Sequence, residues 1–471
     1  MKIPRSIQVP AVVWGPLLCL LLNAILMTWI NVNRPEYLRD SLLNESPDAV
    51  HYVRLGRNML LLGTYSRAAE APYVPDVFRT PAYPLLAGAF DLMGGAALIY
   101  LFQALLQACM CAIVFLLTRK FFGQKAALIA SLLCATDIML AVLNFEAMSE
   151  TLYVFLLSAS ALVLLPRIMS KDGSGFAGFL VGGLLLGVAT HVRPAGLYLP
   201  LVYAIITLAV GLFRGFWKKA LLNSAMVMLG AMFLLAPWVI RNWAVFGLPR
   251  LTTNDTIVLV YFTGAGAYQV RHGVDLQTAW RMIAEEFDLR PPEEMWNDWS
   301  SDFSPKEMHD RARAVIPAVL SKYPFDLIKS SIMGIMKASI SHNTGELAYM
   351  LGKKWINLEI GQVYYPERLR LFDNHIGLII VFVWEVLHAI CVIGLAYFGL
   401  MWMIYIPVQR LTGLVFGCLW LFLVVTLGIS GLEAYSRFRA PLLPLAYVVC
   451  GYVLSVIYCR YQTRLVTVQG E

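Results

Sequence analysis

Charge is scarce in this chain. Only 14% of its 471 residues are Asp, Glu, Lys or Arg, while 59% are hydrophobic. Water-soluble globular proteins carry about 25% charged and roughly 45–50% apolar residues, so a soluble enzyme, a disordered tail and a coiled coil are excluded. The sequence also lacks a P-loop, an H-E-x-x-H helix and a G-x-S-x-G turn in a strand context, which leaves nucleotide-driven and serine-hydrolase chemistry without support. No C-x-x-C pair is present. The eight cysteines (19, 109, 111, 134, 391, 418, 450 and 459) all lie in or beside apolar runs, as small packing residues do, and form no disulfide framework. The seven histidines are scattered without ligand spacing, so no metal and no other cofactor is expected. Low-complexity stretches and internal repeats are absent.

What the chain does have is long apolar runs. The expected class is all-α, a polytopic membrane helical bundle, because the runs are about 20 residues long and unbroken, unlike the alternation of a membrane barrel. Ten spans are expected, at 9–30, 96–117, 126–143, 147–166, 176–192, 195–213, 220–240, 376–404, 411–431 and 440–459. The first has no small-residue cleavage site and is read as an anchor. Basic residues then set the orientation. Thirteen Lys and Arg, from Lys2 and Arg5 to Arg460 and Arg464, fall on one side, against Arg193, Arg437 and Arg439 in the short turns of the other. The positive-inside rule makes both termini cytoplasmic. Residues 325–340, apolar but interrupted by Lys329 and Lys337, are read as an interfacial amphipathic helix. The chain thus divides into an N-terminal membrane module (1–240) with an outer loop at 31–95, an outer segment (241–375), and a C-terminal module (376–471) ending in a short cytoplasmic tail.

The chemistry is expected on the outer side. In SPDAVHYVRLGRNMLLLGTYS, Ser46 and Pro47 can open a helix that Gly63 ends. Asp48 sits in its first turn, between an apolar face with Tyr52 and a basic face with His51, Arg54 and Arg57. A helix-start acid favoured by the macrodipole is the plain alternative for Asp48. FRTPAYPLL (78–86) brings Arg79 and Tyr83 back to the membrane; an interfacial Arg is either a lipid anchor or a phosphate clamp. NFEAMSETLY (144–153) holds Glu146 and Glu150, four apart on one helix face, with Glu150 at the membrane edge. HVRPAG, PWVIRNW and EAYSRFRAPLLP bring Arg193, Arg241, Arg437 and Arg439 to one depth. Several guanidiniums beside one or two acids suit a lipid-linked phosphate.

Taken in order, PDAVHYVRLGRNMLLLGTYS, FRTPAYPLL, SETLY, HVRPAGL, PWVIRNW and SRFRAPLLP resemble the multi-spanning GT-C glycosyltransferases. The nearest branch is that of the protein O-mannosyltransferases and the lipid A aminoarabinose transferase. The resemblance implies inverting sugar transfer from a polyprenyl-phosphate donor to a glycan, lipid or protein acceptor. Transfer would take place on the outer, periplasmic face of the cytoplasmic membrane, with the lipid bilayer and no nucleic acid as partner. It maps the family's essential first-loop acid onto Asp48 and a second acid onto Glu150. Many members have an acidic pair at the first position, whereas here Ala49 follows Asp48. Arg79, Arg193, Arg241, Arg437, Arg439, His51, Tyr52, Tyr83 and Glu146 are the expected substrate and donor-phosphate residues. A flippase or transporter of a lipid-linked saccharide would instead place charges deep in several spans. Only Asp137 and Glu385 stand there. An O-antigen ligase or polymerase, using a diphosphate donor, would carry its distinctive loop late in the chain.

Overall fold

The computed structural model describes residues 10–39, 47–171, 173, 175–292, 305–353 and 376–469. Lys2, Arg5 and Ser46 lie outside them, as do parts of both outer segments. Among the described residues there are helices and no strand. The N-terminal part runs α1 (Ala11–Asn33), α2 (Pro35–Arg39), α3 (Pro47–Leu62), α4 (Ala82–Gly94), α5 (Ala96–Ala135), α6 (Ile138–Leu143), α7 (Glu150–Ile168), α8 (Phe176–Val192), α9 (Leu199–Phe213) and α10 (Trp217–Phe246). The middle holds α11 (Asn254–Val258), α12 (Ala265–His272), α13 (Leu276–Phe287), α14 (Pro305–Lys322), α15 (Pro324–Ile340) and α16 (Thr344–Met350). The C-terminal part is α17 (Ile376–Tyr405), α18 (Arg410–Gly428), a 3₁₀ segment (Ser436–Leu442) and α19 (Leu443–Gln469).

Eight of the described helices are long and apolar enough to cross a bilayer. The difference from ten expected spans arises at two places. The run 96–117 and the first part of 126–143, whose remainder forms α6, lie in one stretch, Ala96–Ala135, whose helix breaks at Gly123, with φ 84° and ψ 179°. Its two arms are antiparallel, since Ser131 Oγ donates to the Cys111 carbonyl at 2.9 Å although the residues are 20 apart in sequence. Glycine alone adopts that φ freely, so the hairpin turns there. The apolar helix α8 falls just short at 17 residues. The 325–340 stretch forms α15 and is not among the eight. It exposes Phe325, Ile328, Ile332 and Met336 on one face and buries Ser330, Gly334 and Lys337 on the other.

Buried amides pin the bundle at one end. Asn23 and Asn144 both donate to Gln107 Oε1, at 3.0 and 2.6 Å, and Asn144 Nδ2 also donates to Asn23 Oδ1 at 2.9 Å. Thr151 Oγ1 completes the set by donating to Asn144 Oδ1 at 3.1 Å. Such bonds contribute about 0.6 kcal/mol each within membranes, and they fix the 144–149 turn that precedes α7. The described residues between 257 and 323 build a second, separate core from Ile257, Tyr261, Tyr268, Trp280, Ile283 and Val319, into which Phe78 inserts. The backbone next to Arg79 is therefore anchored on both sides.

Helices α3 and α4 touch backbone to backbone. A Cβ on Gly56 would lie 2.0 Å from the Pro84 carbonyl oxygen, and one on Gly88 would lie 2.5 Å from the Gly56 carbonyl carbon. No flexible side chain can yield there, so overpacking should cost about 1–3 kcal/mol. Gly88→Ala should therefore lower thermal stability in detergent and displace Asp48 from Arg79. Gly394→Ala, in α17 where nothing lies within 4 Å, should be neutral or slightly stabilising. Equal melting temperatures for Gly88→Ala and wild type would contradict the close crossing.

Candidate functional site

Five elements deliver one charged side chain each to a single cluster at the pinned end of the bundle. Asp48 is the second residue of α3, and Arg79 stands in the loop before α4. Glu150 opens α7, Arg193 follows α8, and Arg437 lies in the 3₁₀ segment. Arg79 Nη2 donates to Asp48 Oδ1. Arg193 Nη1 is 2.6 Å from Glu150 Oε1. Arg437 joins the two pairs, reaching Asp48 Oδ2 at 3.7 Å through Nη2 and Glu150 Oε1 at 3.7 Å through Nε. Tyr52 lies under the Arg79 guanidinium, 5.0 Å from ring centroid to Cζ, and its hydroxyl is 3.4 Å from Ser149 Oγ. Ser149 Oγ also accepts from Arg193 Nη1 at 3.2 Å. The sequence reading missed Ser149; its position beside Glu150 was the available signal.

Burial by itself would lift the Asp48 carboxyl, but the Arg79 guanidinium, and after it Arg437, outweigh that and hold it at about 2. Asp48 is thus an ionised carboxylate at neutral pH. His51 is pushed down to about 3, first by burial and then by the fields of Arg67 and Arg79, so it is neutral beside the cluster. Its Nδ1 is buried without a hydrogen-bond partner.

Three expected residues stand apart from the cluster. The Tyr83 side chain is wholly buried, and its hydroxyl donates to Gln103 Oε1 at 3.0 Å. Gln103 Nε2 in turn donates to the carbonyls of Asn144 (3.0 Å) and Glu146 (2.8 Å), so Tyr83 supports the turn before Glu150 from beneath. Arg241 packs on Tyr65, Trp238 and Phe246 and donates to the Asp76 carbonyl at 2.7 Å. It therefore braces the loop that leads to Arg79. Arg439 is 1% exposed and donates to the carbonyls of Ala338 (3.1 Å) and Ser341. Equal depth in the sequence gave Arg241 and Arg439 no common direction.

Glu146 lines a cavity of about 600 Å³ adjoining the cluster. Arg437 belongs to both. Its polar lining includes Glu146, Lys337, His342, Asn343, Glu346, Ser436 and Arg437. Phe382, Val386 and Ile390, one turn apart along α17, make an apolar flank. Burial above all, with the positive field of Arg439, lowers His342 to about 4, so its ring adds no charge at neutral pH.

The two intramembrane acids are both engaged. Asp137 caps α6 by accepting from Leu140 N at 3.2 Å, accepts from the Tyr447 hydroxyl at 2.6 Å, and lies 3.5 Å from His388 Nδ1. Glu385 accepts from Asn343 N at 2.6 Å and Thr344 Oγ1 at 3.2 Å, and faces Arg439 at 4.0 Å. Asn343 Oδ1 accepts in turn from Ser436 Oγ. Glu385 therefore holds the cavity wall against the segment that carries Arg437. Glu385→Ala would leave Arg439 buried without its carboxylate, a loss of about 3–5 kcal/mol, whereas Glu385→Gln keeps an acceptor and should cost less. Thermal unfolding of the two variants checks the order, and a more stable Ala variant would contradict it.

Among the described residues no group of three or more His, Cys, Asp or Glu side chains is placed to hold a metal ion.

Residues 80–241 match the family described as dolichyl-phosphate-mannose-protein mannosyltransferase. No curated protein matches the chain significantly. Among solved structures, the archaeal oligosaccharyltransferase AglB from Archaeoglobus fulgidus, in complex with an inhibitory peptide and a dolichol-phosphate, is similar at 15% identity and a TM-score of 0.51. The match covers 97% of this chain and 52% of that one. The apo form of the Archaeoglobus enzyme gives a TM-score of 0.52 at 15% identity, over 96% of this chain and 52% of that one. ArnT from Cupriavidus metallidurans bound to undecaprenyl phosphate aligns over 92% of this chain and 77% of its own, at 14% identity and a TM-score of 0.38. The chain spans about half the length of the Archaeoglobus structures it matches.

Proposed function

We propose that this chain is a GT-C-type polytopic membrane glycosyltransferase that moves a sugar from a polyprenyl-phosphate donor to a glycan, lipid or protein hydroxyl; the family match over residues 80–241 and the fold support that reading. The transfer takes place on the outer face of the cytoplasmic membrane and inverts the anomeric carbon. One observation carries the reading. Arg437 bridges the Asp48 and Glu150 carboxylates while lining a cavity that has charged side chains in its wall and an apolar flank along α17. A lipid-linked phosphate has that same division. The dolichol-phosphate in AglB is a ligand of this class.

Three guanidiniums, Arg79, Arg193 and Arg437, face the Asp48 and Glu150 carboxylates, and Glu146 also acts on Arg437. Phosphate drawn to Arg437 would loosen its long contact with Asp48 and raise that carboxylate's basicity. Asp48 then takes the proton of the acceptor hydroxyl as its oxygen attacks the anomeric carbon. The bond from that carbon to the phosphate oxygen breaks, and polyprenyl phosphate leaves with the bonding pair, its charge met by the arginines. Glu150 keeps Arg193 and Arg437 in place. The excess of Lys and Arg on the opposite flanks supports an outer position for this end of the bundle.

Purified protein in nanodiscs should bind and consume a polyprenyl-monophosphate sugar in preference to its diphosphate counterpart. Use of the diphosphate alone would favour a ligase or polymerase. Movement of a labelled lipid-linked saccharide across vesicles without sugar transfer would favour a flippase.

A further inference from the structure

Lys337 is nine-tenths buried, at 9% exposure. Its Nζ donates to the Leu432 carbonyl at 3.1 Å and lies 4.5 Å from the centroid of the Tyr435 ring. Among the described residues no carboxylate lies within ion-pair distance of it. An ammonium has three donors, and a buried cation without a counter-charge is costly. Ordinary snorkelling does not account for it, because α15 turns its apolar stripe of Phe325, Ile328, Ile332 and Met336 outward and Lys337 inward. The side chain lines the cavity that Arg437 also lines. Glu146 and Glu346 line the same cavity but make no ion pair with Lys337, which leaves its ammonium open to the anionic group of a ligand.

We infer that Lys337 is a phosphate-binding residue, contacting from the α15 wall the same anionic headgroup that Arg437 meets from the 3₁₀ segment. The inference rests on the donor reading above and extends it. The phosphate sits in the mouth of the cavity between two cations, and its lipid chain follows Phe382, Val386 and Ile390 along α17. A phosphate without a chain has the same headgroup chemistry but no use for that apolar flank.

The test is equilibrium binding of polyprenyl phosphate to the full chain in nanodiscs, with inorganic phosphate as competitor. Lys337→Met keeps the length and the contact with Tyr435 but drops the charge, and Lys337→Gln is a second neutral variant should Met impair folding. Both should weaken binding ten- to a hundredfold, and Lys337→Arg should stay within a few-fold of wild type. Millimolar inorganic phosphate should displace little lipid from wild type. If it displaces the lipid readily from wild type but not from Lys337→Met, Lys337 is a phosphate contact whose natural ligand is free phosphate. Wild-type affinity in both folded neutral variants overturns the role of Lys337 and leaves the donor reading intact. A wild-type protein that binds no polyprenyl phosphate overturns the donor reading itself.

Discussion

Arg437→Ala should reduce sugar transfer by about a hundred- to ten-thousandfold while the protein stays folded. The guanidinium holds Asp48 and Glu150 at 3.7 Å each and faces the cavity. Without it both carboxylates lose a neutralising partner, and the donor phosphate loses a contact as its charge grows. Charge-assisted bonds contribute about 1.5–3 kcal/mol each, and about 1.4 kcal/mol is tenfold, so two of them give that range. Arg437→Lys keeps the charge but not the planar fork that spans two acids, and should fall between alanine and wild type. Initial rates at saturating acceptor decide it. An alanine variant within threefold of wild type would remove Arg437 from the site.

Asp48→Asn should lose about a hundred- to ten-thousandfold in turnover, the scale of a general base, with donor binding nearly unchanged because the arginines remain. Glu150→Gln should lose less, since Glu150 orients Arg193 and Arg437. Equal rates for Asp48→Asn and wild type would make Asp48 only a helix-start acid. The pH profile separates the roles further. A carboxyl held at about 2 contributes its ion-pair stability above its unfolded value of about 4 and loses it as pH falls through about 2. Asp48 in the ligand-free enzyme therefore produces no acid limb between pH 5 and 8. Arg79→Ala removes the strongest opposing charge, lets burial raise the carboxyl, and should move the acid limb upward.

Hydropathy alone located the eight helices that are long and apolar enough to cross a bilayer, because an apolar run of that length has few other uses. The break at Gly123, where the backbone leaves the helical region, separates two apolar arms that the hydropathy pattern reads as two spans. At the site, Asp48, Arg79, Glu150, Arg193 and Arg437 were legible as charges at helix ends on one side. Their pairing was not. Whether an arginine at the interface points inward or along the surface depends on the turn that carries it. Arg437 and Arg439 are two residues apart, yet one faces two acids and the other the carbonyls at the end of α15. Lys337 was hidden for a related reason. In sequence it interrupts an apolar helix, and only the exposed apolar stripe opposite shows that it points inward.

The central claim is that a polyprenyl-phosphate sugar is broken down at the Asp48–Arg437 cluster. Its most direct measurement is the rate at which purified protein in nanodiscs, given that donor and an envelope extract as acceptor, releases polyprenyl phosphate. Wild type should release it together with a glycosylated product, while folded Asp48→Asn and Arg437→Ala release less than about a hundredth as much. Release by both variants at the wild-type rate would contradict the account.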